Sequence, residues 1–374
     1  MRSSELRVAI LPVRPLGRDG FGVGLTESLI VALSRFHRIA CIDATRSSVN
    51  LDADYQLATT VQYSDGRIRS FVHLDRHGRV VWSQRWDHEP GDLFALQDEI
   101  ASRVAAQIDS ILRLASIPNQ PTAASFVRQA VSAIHRLHPT TFHEAGNAFA
   151  KALTLEPYNA SAHVWWAFWH LLLVGQGWAT DPSAAIQRAG ALAERAIRLG
   201  CNDAELLSLA GHIRSFLYKR PEEARDLQEL AVDTNPSLPL AWSLLGAAKI
   251  YVGRYDEAIA HINRAQSLSP HDTLSFFLDN FQMMALAGRG DFAAAATVGR
   301  RTVALSPWFS STYKGYLSAL GHVGDDAEAT RVLSRLYALE PNFSIASAVQ
   351  RSPWKRTDDL AVYAEGLRRA GLRP

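Results

Sequence analysis

Five groups of residues in this 374-residue chain carry types that do chemistry in other proteins. Gly20-Phe21-Gly22-Val23-Gly24 follows a strand-like run and precedes a helical one. Backbone N–H groups at such a helix start can bind phosphate. The spacing is not G-x-G-x-x-G, however, and no G-K-[ST] follows, so the phosphate reading is set aside. His135, His138 and His143 lie beside Glu144, and an i, i+3 pair would set two imidazoles on one helix face, as a metal site needs. Pro139 stops that helix near His138, so the three are expected as surface histidines at a turn. His163 and His170 flank Trp165, Trp166, Phe168 and Trp169, and both are expected to pack against the rings. Within this aromatic block, Trp166 and Trp169 are expected in the inter-helix core, with Trp165 and Phe168 pointing elsewhere. Core packing is its first reading, and part of a recognition groove the second. Cys41 and Cys201 fit neither a metal spacing nor a disulfide framework and read as buried thiols. G-x-S-x-G and H-E-x-x-H are both missing, and no pair of carboxylates is tied to a base. No catalytic residue, metal or cofactor is expected.

Composition narrows the classes further. The hydrophobic share of 47% and charged share of 20% are those of a folded globular protein. The 39 basic residues, only five of them lysine, are balanced by 37 acidic ones. No segment forms a basic lobe, which argues against a large nucleic-acid footprint. The N-terminal residues carry no long apolar region or small-residue cleavage site, so no signal peptide is expected. The longest apolar stretch, Val164 to Val174, is interrupted by His170 and is shorter than the ~20 residues of a membrane helix. The cytoplasm is the expected compartment.

The elements that would position these residues fall into two kinds. Residues 1–115 read as an α/β domain. Leu6 to Val13 and Ile39 to Ile42 are strand-like, and Leu25 to Leu33 has helical apolar spacing. Asp54 to Gln62, Arg67 to Asp75 and Val80 to Trp86 read as strands joined by Ser64-Asp65-Gly66 and by Asp75-Arg76-His77-Gly78, both with hairpin turn chemistry. Asp92 to Leu114 reads as an amphipathic helix. Residues 116–121, with two prolines, read as a linker. Strand signals then stop. Residues 122–345 read as a helical array and 346–374 as its capping helices.

A repeat carries the second half. Pro236, Pro270, Pro307 and Pro341 are separated by 34, 37 and 34 residues, and Pro157 is an earlier member. Cys201 stands where one further proline would be, and Gly175 to Pro182 is a loop insertion of about ten residues. The best unit, 239–272, sets Trp242, Leu245 and Gly246 on a first helix, Gly253 and Tyr255 at a turn, and Ala258, Ile262 and Ala265 on a second helix ended by Pro270. Gly246 and Ala258 are small so that two helices can cross closely, and Trp242 is expected to fill the space between units. This pattern resembles the tetratricopeptide repeat, with about six units once degenerate ones are included.

The first part carries a second resemblance. Val8 to Val13, Gly24 to Ile30 with Leu33 to Phe36, and Trp86-Asp87 with Asp92 to Ile100 together resemble the TolB-amino-terminal-like module, as does the tail from Ala364 to Leu372. That module accompanies tetratricopeptide repeats in bacterial adenylate cyclases and winged-helix transcription regulators. The resemblance makes Gly20 to Gly24 a loop and helix start. In that family an effector domain precedes the module and a helix lies between its second and third strands. Here five residues precede the module and Ala44 to Asp52 is short, so the effector is expected on a partner and that layer of the sheet is expected open or covered by a partner.

The resemblances imply a non-catalytic interaction module in signal transduction or gene regulation, with a concave face built from first helices. Carrying over the usual contact positions gives Val164, Phe168 and Leu171, then Ser208, His212 and Ser215, then Ser243, Ala247 and Ile250, then Lys314 and Ser318. The expected partner is a protein segment, held by an apolar anchor near Phe168 and depending weakly on salt, with no direct nucleic acid or membrane contact. Alternatives are a transcription regulator acting through a separate DNA-binding partner, and a relic of a cyclase.

Overall fold

The computed structural model describes residues 6–16, 20–45, 52–64, 67–89, 91–113, 121–200, 202–270 and 272–374. The chain divides into two compact units, residues 1–115 with 235–237 and residues 116–234 with 238–374. Most of the linker, the tip of the Ser64-Asp65-Gly66 turn, most of Ala44 to Asp52, and Cys201 lie outside the described residues.

The first unit contains β1 (Leu6–Ile10), β2 (Arg14–Leu16), α1 (Gly20–Ser34), β3 (Ile39–Asp43), β4 (Tyr55–Ser64), β5 (Arg67–Arg76), β6 (Arg79–His88) and α2 (Leu93–Arg113). Its sheet runs β3-β1-β4-β5-β6, with β2 also on β4. The β3, β1 and β4 pairings are parallel, and β4, β5 and β6 form an antiparallel meander. Alternation decides the buried face: Tyr55, Leu57, Thr59 and Val61 of β4 and Ile68, Ser70, Val72 and Leu74 of β5 are all buried. Leu25, Leu29 and Leu33 of α1, and Ile100, Val104, Ile108 and Leu112 of α2, complete the core. Arg38 and Arg113 both donate to Asp109, which compensates that buried carboxylate.

Two expectations change here. The strand expected to run to Val13 stops at Ile10, because Pro12 has no N–H and the Val13 N–H donates to Thr26 Oγ1 at 3.0 Å. The glycine run, expected as a loop and helix start, lies wholly within the first turns of α1. A Cβ on Gly22 would sit 3.1 Å from the Val13 carbonyl oxygen, and one on Gly24 would overlap the Gln97 amide, which donates to the Phe21 carbonyl. These glycines serve close packing, not an anion.

The second unit is a run of helix pairs: α3 (Ala123–Arg136) with α4 (Pro139–Leu155), α5 (Ala160–Gly175) with α6 (Pro182–Leu199), and α7 (Ala204–Phe216) with α8 (Pro221–Thr234). They continue with α9 (Pro239–Tyr251) and α10 (Tyr255–Leu268), α11 (Ser275–Gly288) and α12 (Phe292–Leu305), and α13 (Ser310–Val323) and α14 (Asp326–Leu339), before α15 (Ile345–Arg351) and α16 (Thr357–Arg369). The proline period is the period of the pairs: Pro157, Pro236, Pro270, Pro307 and Pro341 each stand two residues past the end of a second helix. From α5 to α13 each first helix packs on the next first helix as well as on its own partner. First helices are therefore buried on most sides, whereas second helices bury one stripe, such as Ala258, Ile262 and Ala265 of α10.

Gly246 and Ala258 meet as expected, since a Cβ on Gly246 would come 3.2 Å from the Ala258 carbonyl oxygen. Trp242 is half-buried, with its ring beside His261 of α10.

The array ends where α16 lies on α13. A Cβ on Gly321 would run into the Gly366 carbonyl, and one on Gly366 would run into the Ser318 carbonyl. Gly321→Ala raises helix propensity by about 1 kcal/mol, but the obstacle is backbone and cannot move aside. Thermal unfolding should therefore show Gly321→Ala to be destabilising by about 1–3 kcal/mol, the opposite sign to the same change on an exposed helix face.

Candidate functional site

The inner wall of the second unit is made by α5, α7, α9, α11 and α13. The stripe expected there as an exposed groove is buried instead. Val164, Phe168, Leu171, Ser208, His212, Ser215, Ser243, Ala247, Ile250, Lys314 and Ser318 are each 8% exposed or less. Two layers cover it. Aromatic rings form the first: Phe168 and His212 lie 5.6 and 5.8 Å from Phe277 of α11. The chain's own C-terminal segment is the second, with Ser318 Oγ donating to the Tyr363 carbonyl of α16 at 3.0 Å. Ser208 and Ser215 return their hydroxyls to carbonyls of their own helix. Of the stripe, Leu171, His212 and Lys314 line an open space.

That space is a cavity of about 550 Å³ between the inner wall and a strap formed by residues 341–356, which includes α15. One buried carboxylate fastens the strap. Glu340 pairs with Lys314 of α13, with Arg351 of the strap at 2.6 Å and with the Ser310 hydroxyl at 2.5 Å. Main-chain acceptors complete the closure: Arg351 donates to the Val174 carbonyl, Lys219 to the Gln350 carbonyl, and the Lys355 N–H to the Tyr251 carbonyl at 2.9 Å. Gln176, in the loop insertion, accepts from the Ser310 N–H at 2.7 Å and donates to the Ser311 hydroxyl. The sequence pattern held no sign of this strap, because a latch built from one Glu and one Arg has no period. Pro341 marked only the end of a helix.

Burial and charge set the ionisation of the site. Burial pushes Lys314 down to about 8 while Glu340 opposes the shift. Burial pushes Glu340 up, but Lys314, Arg351 and the hydrogen bonds outweigh it and hold the carboxyl below its usual range. His212 is pushed down to about 3 by burial alone, and so stands neutral among the rings.

The remaining candidates are structural. His135 is buried, not at the surface, and hydrogen-bonds Thr273 at 2.6 Å. His138 packs on Trp308 and His143 beside Trp178, so the three histidines have different partners. Among the described residues no three of His, Cys, Asp and Glu gather as a metal site. Cys41, expected as a buried thiol, is half-buried, and burial pushes its thiol up to about 11. Trp165 and Phe168 are the deepest members of the aromatic block, whereas Trp166 and Trp169 stack at its margin on Phe149 and Phe142. His163 hydrogen-bonds the Pro157 carbonyl. His170 lies buried between Trp166 and Trp169, and burial, with Arg188 nearby, pushes it down to about 4. Among the described residues no helix is long and apolar enough to cross a membrane.

The two buried histidines give a pH dependence. Their folded values lie below the unfolded value near 6.5, so the unfolded chain takes up protons first as pH falls. Stability is retained above about pH 6.5 and lost toward pH 4, by about 1.4 kcal/mol per pH unit for each histidine. Urea unfolding from pH 7 to 5 should show this slope. His212→Phe, which keeps the ring packing, should reduce it by about half; an unchanged slope would rule His212 out as a source.

No protein-family model matches the sequence, and no curated protein matches it. Solved structures do match. Human IFIT1 as a dimer with PPP-AAAA is 13% identical, over 74% of this chain and 66% of that one, with a TM-score of 0.50. The same human protein with m7Gppp-AAAA aligns over 65% of this chain and 56% of that one, again at 0.50. This chain thus covers less than two thirds of the human protein in that alignment. A TPR protein of Thermus thermophilus is 18% identical, over 54% of this chain and 93% of that one, with a TM-score of 0.36. At these identities the likeness is one of fold: the second unit is an array of tetratricopeptide-like helical repeats.

Proposed function

We propose that this chain is a non-catalytic interaction module that holds a protein segment against the inner wall of its helical array. One observation carries the reading. The wall already holds a peptide in cis: the strap binds Lys219 and Tyr251 through its own backbone, which needs no particular side-chain sequence. A partner segment able to offer an arginine to Glu340 and an apolar side chain to the cavity satisfies the same groups. The anchor position moves from Phe168, which is covered, to the cavity lined by Leu171, His212 and Lys314. Burial of an apolar group remains the main source of affinity.

The resemblance of the first unit to the TolB-amino-terminal-like module supports a place in bacterial signalling or transcription regulation, with the effector on a partner. Recovery of an RNA polymerase or DNA-binding subunit in a pulldown at moderate salt would select the regulatory form. Nucleotide turnover by the pure chain would select the cyclase relic. The IFIT1 structures carry AAAA oligonucleotides, so a labelled oligoadenylate is the control that distinguishes nucleic acid from peptide.

The direct test uses the strap as the probe. Tethered, it competes at an effective concentration on the order of mM, so a labelled peptide of residues 342–356 should bind the native chain weakly. Arg351→Met releases the tethered copy but leaves Glu340 paired with Lys314. Fluorescence anisotropy should show the peptide binding this variant about ten-fold more tightly than the native chain. No binding to the folded variant would overturn the reading.

A further inference from the structure

β6 stands last in the sheet order: one side of this ten-residue strand pairs with β5, and the other pairs with no strand among the described residues. An unpaired strand edge is a template for another strand, and folded proteins guard it with shortness, proline or lysines. The opposite edge, β3, has only five residues. β6 has neither proline nor lysine. Its register shift sets Val81 aside near the turn, so Trp82 to His88 form a regular open edge. By that register Trp82, Gln84, Trp86 and His88 share the face of buried Leu74, Val72 and Ser70, and Ser83, Arg85 and Asp87 share the opposite face. The two tryptophans are half-buried, their rings 6.1 Å apart, while Arg85 and Asp87 are exposed. Gln84 and Arg85 make no side-chain hydrogen bond to any described residue.

The order of residues on this edge says what fits it. Gln84-Arg85-Trp86-Asp87-His88 is complementary to itself read backwards: amide against imidazole, cation against anion, ring against ring. A second copy, turned about a two-fold axis normal to the sheet, would run antiparallel to β6. Both faces of the sheet continue across the junction when that axis passes through a residue. Charge chooses among three such axes. Through Arg85, two guanidinium groups oppose each other, which is destabilising. Through Gln84, Arg85 faces Ser83 and Asp87 faces the displaced Val81, so neither charge is matched. Through Trp86, each Arg85 faces Asp87 of the other copy, each Gln84 faces His88, and the two Trp86 rings meet. Asp87 already accepts from Arg69 of β5 at 3.1 Å, and its remaining lone pairs can take a second guanidinium.

We infer that β6 is the contact through which two copies of this chain join, antiparallel about Trp86, into one continuous sheet. The interface is isologous, so each favourable pair occurs twice. Main-chain hydrogen bonds along the edge supply adhesion, and the Arg85–Asp87 pairs fix the register. No residue of the inner wall or the strap takes part.

Sedimentation of the full chain should show the mass rising from one chain to two as concentration increases. Arg85→Asp sets like charges opposite each other at two places and should raise the dissociation constant about ten-fold. Oxidative cross-linking reads the register. Facing Cα atoms are about 5 Å apart, within disulfide reach. Trp86→Cys should therefore give a covalent dimer, whereas the two copies of residue 84 in Gln84→Cys lie about 14 Å apart and should not join. The native chain, with Cys41 and Cys201, is the control. A chain that stays monomeric at every concentration, a dimer indifferent to Arg85→Asp, or cross-linking by Gln84→Cys in place of Trp86→Cys would overturn the inference. The strap-peptide experiment does not depend on any of these results, so the two readings fail separately.

Discussion

A carboxylate taken out of water alone is costly, by several kcal/mol even after the protein relaxes. Glu340 is 6% exposed and escapes that cost only because Lys314, Arg351 and Ser310 converge on it. Those partners come from the last helix pair and from the strap beyond it. The position of the strap therefore follows from the need to compensate one charge. Closure of the inner wall and the existence of a cavity beneath it follow from the strap. A buried ion pair of this kind is weak evidence for stability, since an apolar replacement often serves as well. Its value here is positional: it fixes where residues 341–356 lie while leaving space beneath them.

The repeat was legible because its signals are local. A proline two residues past each second helix, and small residues where helices cross, are set by contacts within one pair. Even the loosest unit obeys this logic, since Gly299 stands where the expected residue would strike the Tyr316 ring. The alternating strands of β4 and β5 were legible for the same reason. The inner wall was read by analogy with an open array, and there the reading departs from the structure. Whether Phe168 is a groove wall or core depends on Phe277, more than a hundred residues away, and no spacing rule contains that pairing.

The glycine run near the N-terminus teaches the converse. Its composition suggested a ligand loop, and the structure uses the missing side chains to bring α1 close to the Val13 carbonyl and to Gln97. Glycines close to one another mark close approach of some kind. What approaches, a phosphate or another part of the protein, is decided by the neighbouring elements.

The loop insertion has a further consequence. A plain stack of repeats couples each unit only to its neighbours, and its ends fray independently. Here Gln176 and the carbonyls of Val174 and Gly175 bind Ser310, Arg351 and Lys314, joining the second helix pair to the sixth. Such long-range cross-links convert a one-dimensional chain of units into a ring of mutual dependence. Melting is then expected to be a single concerted event across the intervening repeats, and folding slow to nucleate because these contacts span well over a hundred residues.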